Sequence, residues 1–351
     1  MGAAWYDGTR IRSMSQRMNA RRGMLRMRPL IVKFLTAVKL TRLTMAFGAV
    51  SDVWFVILFT QAQARTQGKY ELIPVALMSP FWALLAGAVV AIGLFAYGAA
   101  LNDVLDVRHD TAFSPHRPIP AGLIKLGQAI VVTVGALIIA VLVAGVWLGT
   151  LALWPTLLVA AGVLFYNAAG RYIPAVGVVT IGLIHAVHML IPNAQLCFLL
   201  PVWLILTHSM GIAAAVHLLE DKRPPMTRRG LAFLGVGWLF WSGVIIAIAV
   251  WREGFWPSDK PLWVLGWPVA AVVGFILVAR FKTANVAGPA AAEKVKRYGA
   301  MWQALYSAAW LMALGLTKQA AFIGVFAVAG FAAMTLIREI TGLSGRPIAY
   351  R

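Results

Sequence analysis

Cysteine, acidic side chains and charge in general are all scarce in this chain of 351 residues. A single cysteine, Cys197, excludes an intrachain disulfide and a cysteine-based metal centre. Only 12% of the residues are charged, whereas soluble domains carry about 25%. The stretches between apolar runs are too short for a soluble domain; the longest are the N-terminal arm, the loops near residues 103-125 and 218-230, and residues 281-298. The apolar runs lack the period-two alternation of a membrane β-barrel. No apolar run precedes the first long one, which argues against a secretory signal. "MGAAWY" also lacks the Ser or Thr of a myristoylation signal.

Apolar residues are what the chain has in abundance: 61% of the total, with a mean hydropathy of +0.79. Runs of roughly 20 such residues recur, each long enough to cross a hydrocarbon core of ~30 Å as a helix. Only helices and closed barrels satisfy their backbone hydrogen bonds in lipid. The chain therefore reads as an all-α polytopic membrane protein, a bundle of nine to ten transmembrane helices. The expected spans are 43-62, 80-102, 126-147, 149-167, 174-193, 196-217, 231-251, 261-280, 299-316 and 319-337.

The net charge of +19 is distributed by topology and does not mark a nucleic-acid partner. With these spans, 26 of the 31 Lys and Arg residues fall on the N-terminal side of the membrane and 5 on the other. That bias follows the positive-inside rule and puts both termini on the cytoplasmic side. The expected setting is a bacterial cytoplasmic membrane; a transit peptide within the Arg-rich arm would instead direct the chain to the mitochondrial inner membrane. Residues 1-42 form a basic arm in which "RPLIVKFLTAVKLTR" suits a helix lying on an anionic lipid surface. The connection between spans 8 and 9, residues 281-298, is expected to hold a short surface helix.

Five of the 12 acids fall into two clusters, Asp103, Asp106 and Asp110 after the second span and Glu220 and Asp221 after the sixth. Both lie at cytoplasmic helix C-termini, where the helix dipole disfavours carboxylates. If helical geometry continues, the first three share one face, and Asn102 neighbours Asp106. Arg108 and Arg117 follow the first cluster, and Lys222, Arg223, Arg228 and Arg229 the second. Arg171 stands between Tyr166 and Tyr172 after the fourth span. Such a mixture is either a salt-bridge network or a site where divalent cations link carboxylates to a phosphate.

"NDVLDVRHD", from Asn102 to Asp110, with the following "SPHRPIPAG", resembles the paired signature of the UbiA-type intramembrane prenyltransferase superfamily. "YNAAGRY" is similar to that family's Tyr-x-x-x-Lys-Arg-Tyr segment, with Gly170 where Lys is common. "HLLEDKRPP" falls at its second Asp-x-x-x-Asp motif; Asp221 fits the last position, and His217 replaces the first. The resemblance covers residues 43-316, so residues 317-351 stand as an extra C-terminal span with a short tail.

The resemblance implies a lateral cavity in which a prenyl diphosphate, held by two Mg²⁺ ions, ionises to an allylic cation that a hydrophobic, commonly aromatic, acceptor attacks. Asn102, Asp106, Asp110 and Asp221 would be metal ligands, with Asp103 in support. A neutral imidazole is a poor Mg²⁺ ligand, so at His217 either Glu220 supplies the missing carboxylate, or the second metal site is weakened, or His217 bonds the diphosphate directly. Asn102, Arg117, Arg171, Lys222, Arg42 and Tyr166 would meet the diphosphate, and the roles assigned to the reaction itself fall on Asp103, Asp106, Asp110, Asp221 and Arg171. Asp52 inside the first span, His185 and His188 on one face of the fifth, His208 in the sixth, and His217 are candidates for the acceptor pocket; pairing between helices is the alternative for each. Membrane lipid is the surrounding partner. The same fold also hosts phosphoribosyl transfer to a lipid phosphate, prenylation of a glycerol phosphate, and tetrapyrrole prenylation. A transporter remains as the reading from another class, although transporter sites lie nearer the bilayer midplane.

Overall fold

The structure, a computed structural model, describes the backbone of residues 46–343 and the side chains of residues 46–336. The basic arm, Arg42 within it, and the tail after residue 343 lie outside the described residues. Ten long helices stand where the ten apolar runs lie: α1 Phe47–Gln67, α2 Pro80–Leu105, then a short α3 Val107–Phe113, α4 Leu126–Val143, α5 Thr150–Ala168, α6 Pro174–Met189, α7 Leu200–Leu219, α8 Arg228–Trp251, α9 Gly266–Thr283, α10 Gly288–Ala313 and α11 Thr317–Leu343. No strand occurs among the described residues. Seven of these segments are long and apolar enough to cross a membrane by length and composition. Of the others, α6 is shorter, while α1 and α10 carry more polar residues.

Local chemistry starts and stops the helices. Proline occupies the first turn of α2, α6, α7 and α10, where its missing N–H costs no hydrogen bond. The Thr227 hydroxyl caps α8 by accepting from the Gly230 N–H at 3.1 Å. A π turn, Ala144–Leu148, extends α4, and Gly149 at φ 95° then reverses the chain into α5. That backbone region is open to glycine and costly for other residues.

Six helices close a ring: α1 packs on α2, α2 on α5, α5 on α6, α6 on α7, α7 on α10, and α10 returns to α1. The remaining long helices lie outside it, α4 against α2, α8 against α6 and α7, α9 against α10, and α11 against α10 and α1. Burial follows this division: half of the apolar window of α2 is buried, against 11% for α8 and for Leu262–Thr283. Apolar side chains gain little by leaving lipid, so close packing and polar contacts hold such a bundle. Small residues let α2 approach its neighbours. A Cβ on Gly87 would meet Ile57 at 2.6 Å, and one on Gly93 would meet the Ala136 carbonyl at 3.0 Å. Polar links add to this: Asn193 donates to the Thr60 hydroxyl at 3.0 Å, and Trp302 donates to the Ala271 carbonyl at 2.7 Å.

One expectation is corrected. The segment before the ninth span is not a separate surface helix but the first part of α10, which runs unbroken from Gly288 to Ala313. Its only proline, Pro289, sits in the first turn, so no later proline interrupts the hydrogen-bond ladder.

Candidate active site

The ring encloses a cavity of about 790 Å³ that opens at the end where α2 and α7 terminate. Its rim is polar, with Asn102, Asp106, Arg171, His217, Glu220 and Lys296 among the lining residues. Deeper walls come from Phe95, Ile181 and Ala213, with His185, His208 and Gln303 as the polar members. A side chamber of about 270 Å³ lies between α1, α2, α5 and α6; Leu94, Val159 and Ile184 make it apolar, and His185 and His188 also line it. Both acidic clusters therefore contribute to one cavity, as their shared membrane side predicts.

The first cluster spans a helix junction. α2 ends at Leu105, and Asp106 is the junction residue, at φ −88° and ψ 3°, before α3 begins. The i→i+4 hydrogen bonds continue through it, from the Asp106 N–H to the Asn102 carbonyl at 3.0 Å and from the Asp110 N–H to the Asp106 carbonyl at 2.8 Å, and the carboxylates divide between two arginines. Arg117 donates from one nitrogen to Asp103 at 3.2 Å and to Asp110 at 2.8 Å, and both aspartates are buried behind it. Asp106 pairs with Arg171. Arg171 donates from Nη1 to one Asp106 oxygen at 2.8 Å, from Nη2 to the other, and from Nη1 to Asn102 Oδ1 at 3.3 Å. Hydrogen bonding to Asp106 holds the Arg171 guanidinium above its ordinary pKa, against the opposing effect of burial. The Tyr172 hydroxyl accepts from Arg171 at 3.0 Å, and the guanidinium lies 5.1 Å from that ring's centre.

The second cluster is held differently. Glu220 caps α7, and its carboxylate receives Lys296 of α10 at 2.6 Å and Lys222 at 3.2 Å. Burial raises the Glu220 pKa, but the Lys296 hydrogen bond and the charges of both lysines outweigh it, leaving the carboxyl below its usual range. Asp221 sits in a left-handed backbone at φ 45°, with its side chain 83% exposed and turned toward Arg223 at 4.0 Å. His217 donates from Nε2 to the Pro224 carbonyl at 3.0 Å.

The remaining candidates separate by depth. Asp52 is fully buried in α1, and neither of its oxygens has a hydrogen-bond partner among the described residues. It lies off both cavities. His208 has both nitrogens engaged, Nε2 with the Gly299 carbonyl at 3.0 Å and Nδ1 with the Tyr306 hydroxyl at 3.2 Å. His185 faces the Gln303 amide at 3.4 Å. His188 is buried with both ring nitrogens unpartnered among the described residues. Tyr166 borders both chambers.

Several lining residues escaped the reading of the sequence, among them Lys296, Gln303 and His109. Residues 289, 296, 299, 300 and 303 all line the cavity, and their spacing puts them on one stripe of α10. A polar amide among the apolar residues of "GAMWQALYSAAW" was the available signal for Gln303.

Among the described residues, no three His, Cys, Asp or Glu side chains converge as a metal cage. Mg²⁺ seldom uses such a cage; it binds one or two carboxylates together with substrate phosphates. Asn102 and Asp106 both line the cavity, and the oxygens they offer Arg171 are a donor set that fits this ion.

A helical membrane bundle enclosing a cavity with a polar rim and apolar walls defines the class of fold. The chain matches the UbiA prenyltransferase family over residues 72–298 and belongs to that family. It is accordingly an integral membrane protein and a transferase of prenyl groups. No curated protein matches its sequence. Its fold is similar to a solved structure described as digeranylgeranylglyceryl phosphate synthase, at 18% identity and a TM-score of 0.50, covering 82% of this chain and 99% of that one. A UbiA homolog from Archaeoglobus fulgidus, described as bound to DMAPP and Mg²⁺, matches at 13% identity and a TM-score of 0.41, covering 86% and 99%.

Proposed function

We propose that the protein moves an isoprenoid chain from a prenyl diphosphate to a hydrophobic, aromatic acceptor. The observation that carries this reading is the pairing of Asp106 with Arg171 at the rim of an apolar chamber. A carboxylate that could hold a metal ion and a guanidinium that could meet phosphate oxygens lie side by side there. Arg171 would donate to the diphosphate in a planar fork, as guanidinium groups do with phosphates. Asn102 and Asp106 would hold Mg²⁺, which when bound neutralises charge on the departing diphosphate. The prenyl tail would lie along Phe95 and Ile181, where apolar walls exclude water from a carbocation. The acceptor would approach from the side chamber, with His185 and His188 as its polar contacts. Asp103 and Asp110 act through Arg117, which they fix at the rim.

The test is Mg²⁺-dependent diphosphate release by purified protein, given prenyl diphosphates of several lengths and a panel of phenolic acceptors. Asp106→Ala abolishes release while the protein stays folded and inserted. Full activity in that variant overturns the reading.

A further inference from the structure

The two acidic motifs offer the cavity different chemistry. On the α2 side Asn102 and Asp106 line it, two oxygen-bearing side chains that share one cation, Arg171. On the α7 side a single carboxylate lines it among several cations. His217, where the resembling family carries an aspartate, is bonded through Nε2 to the Pro224 carbonyl. Asp221 is not among the lining residues, and its side chain is 83% exposed. Glu220 alone remains, and each of its oxygens meets an ammonium group, Lys296 at 2.6 Å and Lys222 at 3.2 Å. Both lysines line the cavity, and so does Arg223. One engaged carboxylate among three cations is a poor site for a hard dication, which needs several oxygen ligands. It is a good site for an anion.

We propose that the second motif binds the diphosphate through Lys222 and Lys296, positioned by Glu220, and that the enzyme uses one Mg²⁺, on Asn102 and Asp106. This inference rests on the prenyl-diphosphate reading of the same cavity. The two ammonium groups supply the positive charge that a second metal ion would otherwise bring. An ammonium group has three N–H donors and can bridge a carboxylate and a phosphate oxygen. Lys296 is on the inward stripe of α10, level with the motif at the end of α7, and its pair with Glu220 ties the two helices together.

The experiment counts metal ions instead of turnover. Mn²⁺ is titrated by electron paramagnetic resonance into purified protein with an unreactive prenyl thiolodiphosphate, the analogue whose bridging oxygen is replaced by sulfur. One Mn²⁺ per chain, dependent on the analogue, is expected. The count falls to zero in Asp106→Asn and stays at one in Glu220→Gln. Lys222→Ala and Lys296→Ala keep the count at one and weaken analogue binding roughly ten- to a hundredfold, the effect of losing a hydrogen bond to a charged group. Lys296→Arg restores most of it. If Lys296→Ala fails to fold, the wild-type count and Lys222→Ala decide. Two Mn²⁺ per chain, the second lost in Glu220→Gln or Asp221→Asn, overturns the one-metal proposal and leaves the prenyl-diphosphate reading standing. Folded wild-type protein that binds neither analogue nor analogue-dependent Mn²⁺ overturns both.

Discussion

Arg171 reaches across 65 positions of sequence to grip both carboxylate oxygens of Asp106. The pair joins the end of α5 to the junction of α2 and α3, and it is the contact a diphosphate would have to rearrange. Arg171→Lys keeps the charge and loses the planar fork, so it is not a conservative change here. KM for the prenyl diphosphate rises at least tenfold in Arg171→Lys and further in Arg171→Ala, with little change in KM for the acceptor. Steady-state kinetics with each substrate varied in turn checks this, and equal effects on both KM values would count against it.

Arg117 has a structural task by comparison. It is the cation to which two buried aspartates, Asp103 and Asp110, are bonded. Removing one partner of a buried ion pair typically costs about 3–5 kcal/mol. Arg117→Ala therefore lowers the thermal unfolding temperature in detergent sharply, and Asp110→Asn does so less. Arg171→Ala, by contrast, removes a pair at the cavity rim and lowers it only slightly. A fluorescence-monitored melt of the three variants distinguishes these outcomes.

The Glu220–Lys296 pair predicts a specific response to acid. The folded-state pKa of Glu220 lies below its unfolded value, so the pair's stabilisation is full above the unfolded value, about 4.3, and is lost as pH falls through the lower folded value. The difference in melting temperature between wild type and Glu220→Gln is constant from pH 8 to about 5. It then shrinks toward zero below about pH 4. A difference that persists unchanged at lower pH would mean that the carboxylate's charge is not what matters.

Helix placement was legible in the sequence because each apolar run must be helical in lipid, and all ten runs coincide with long helices. Asn102, Asp106 and Arg171 were legible too, through a motif and an isolated cation. The partition of the aspartates between two arginines was not, because only the fold brings Arg171, 65 positions away, to Asp106. Lys296 was hidden for another reason. In the sequence it is one of several basic residues that the positive-inside rule already explains, and only the packing of α10 against α7 brings it to Glu220. Asp221 shows the converse: it fits a motif position, yet a left-handed turn points it away from the cavity.

Gly48 lets α1 pack tightly against Ala300 and Gln303 of α10, two residues that line the cavity. A Cβ there would collide with the Gln303 side chain and the Ala300 carbonyl. The carbonyl belongs to a helical backbone and cannot move aside on its own. Overpacking of this kind costs about 1–3 kcal/mol. Gly48→Ala lowers the melting temperature, and it displaces Gln303 from His185, so acceptor turnover falls as well. Gln303→Ala in the Gly48→Ala background removes one of the two collisions and recovers part of the stability but not the turnover.

His188 separates packing from chemistry. It is 5% exposed, both ring nitrogens lack partners among the described residues, and it borders the side chamber. Leaving a buried polar group without a partner costs about 1–3 kcal/mol, so an apolar replacement of similar size relieves that cost. His188→Leu therefore melts at or above the wild-type temperature. If the acceptor's polar group is the missing partner, the same variant raises KM for the acceptor about tenfold or more and leaves KM for the prenyl diphosphate unchanged. His188→Gln, which restores a donor and an acceptor atom, recovers part of the loss. A stabilised His188→Leu enzyme with unaltered acceptor kinetics would remove His188 from the pocket and leave the side chamber to the prenyl chain.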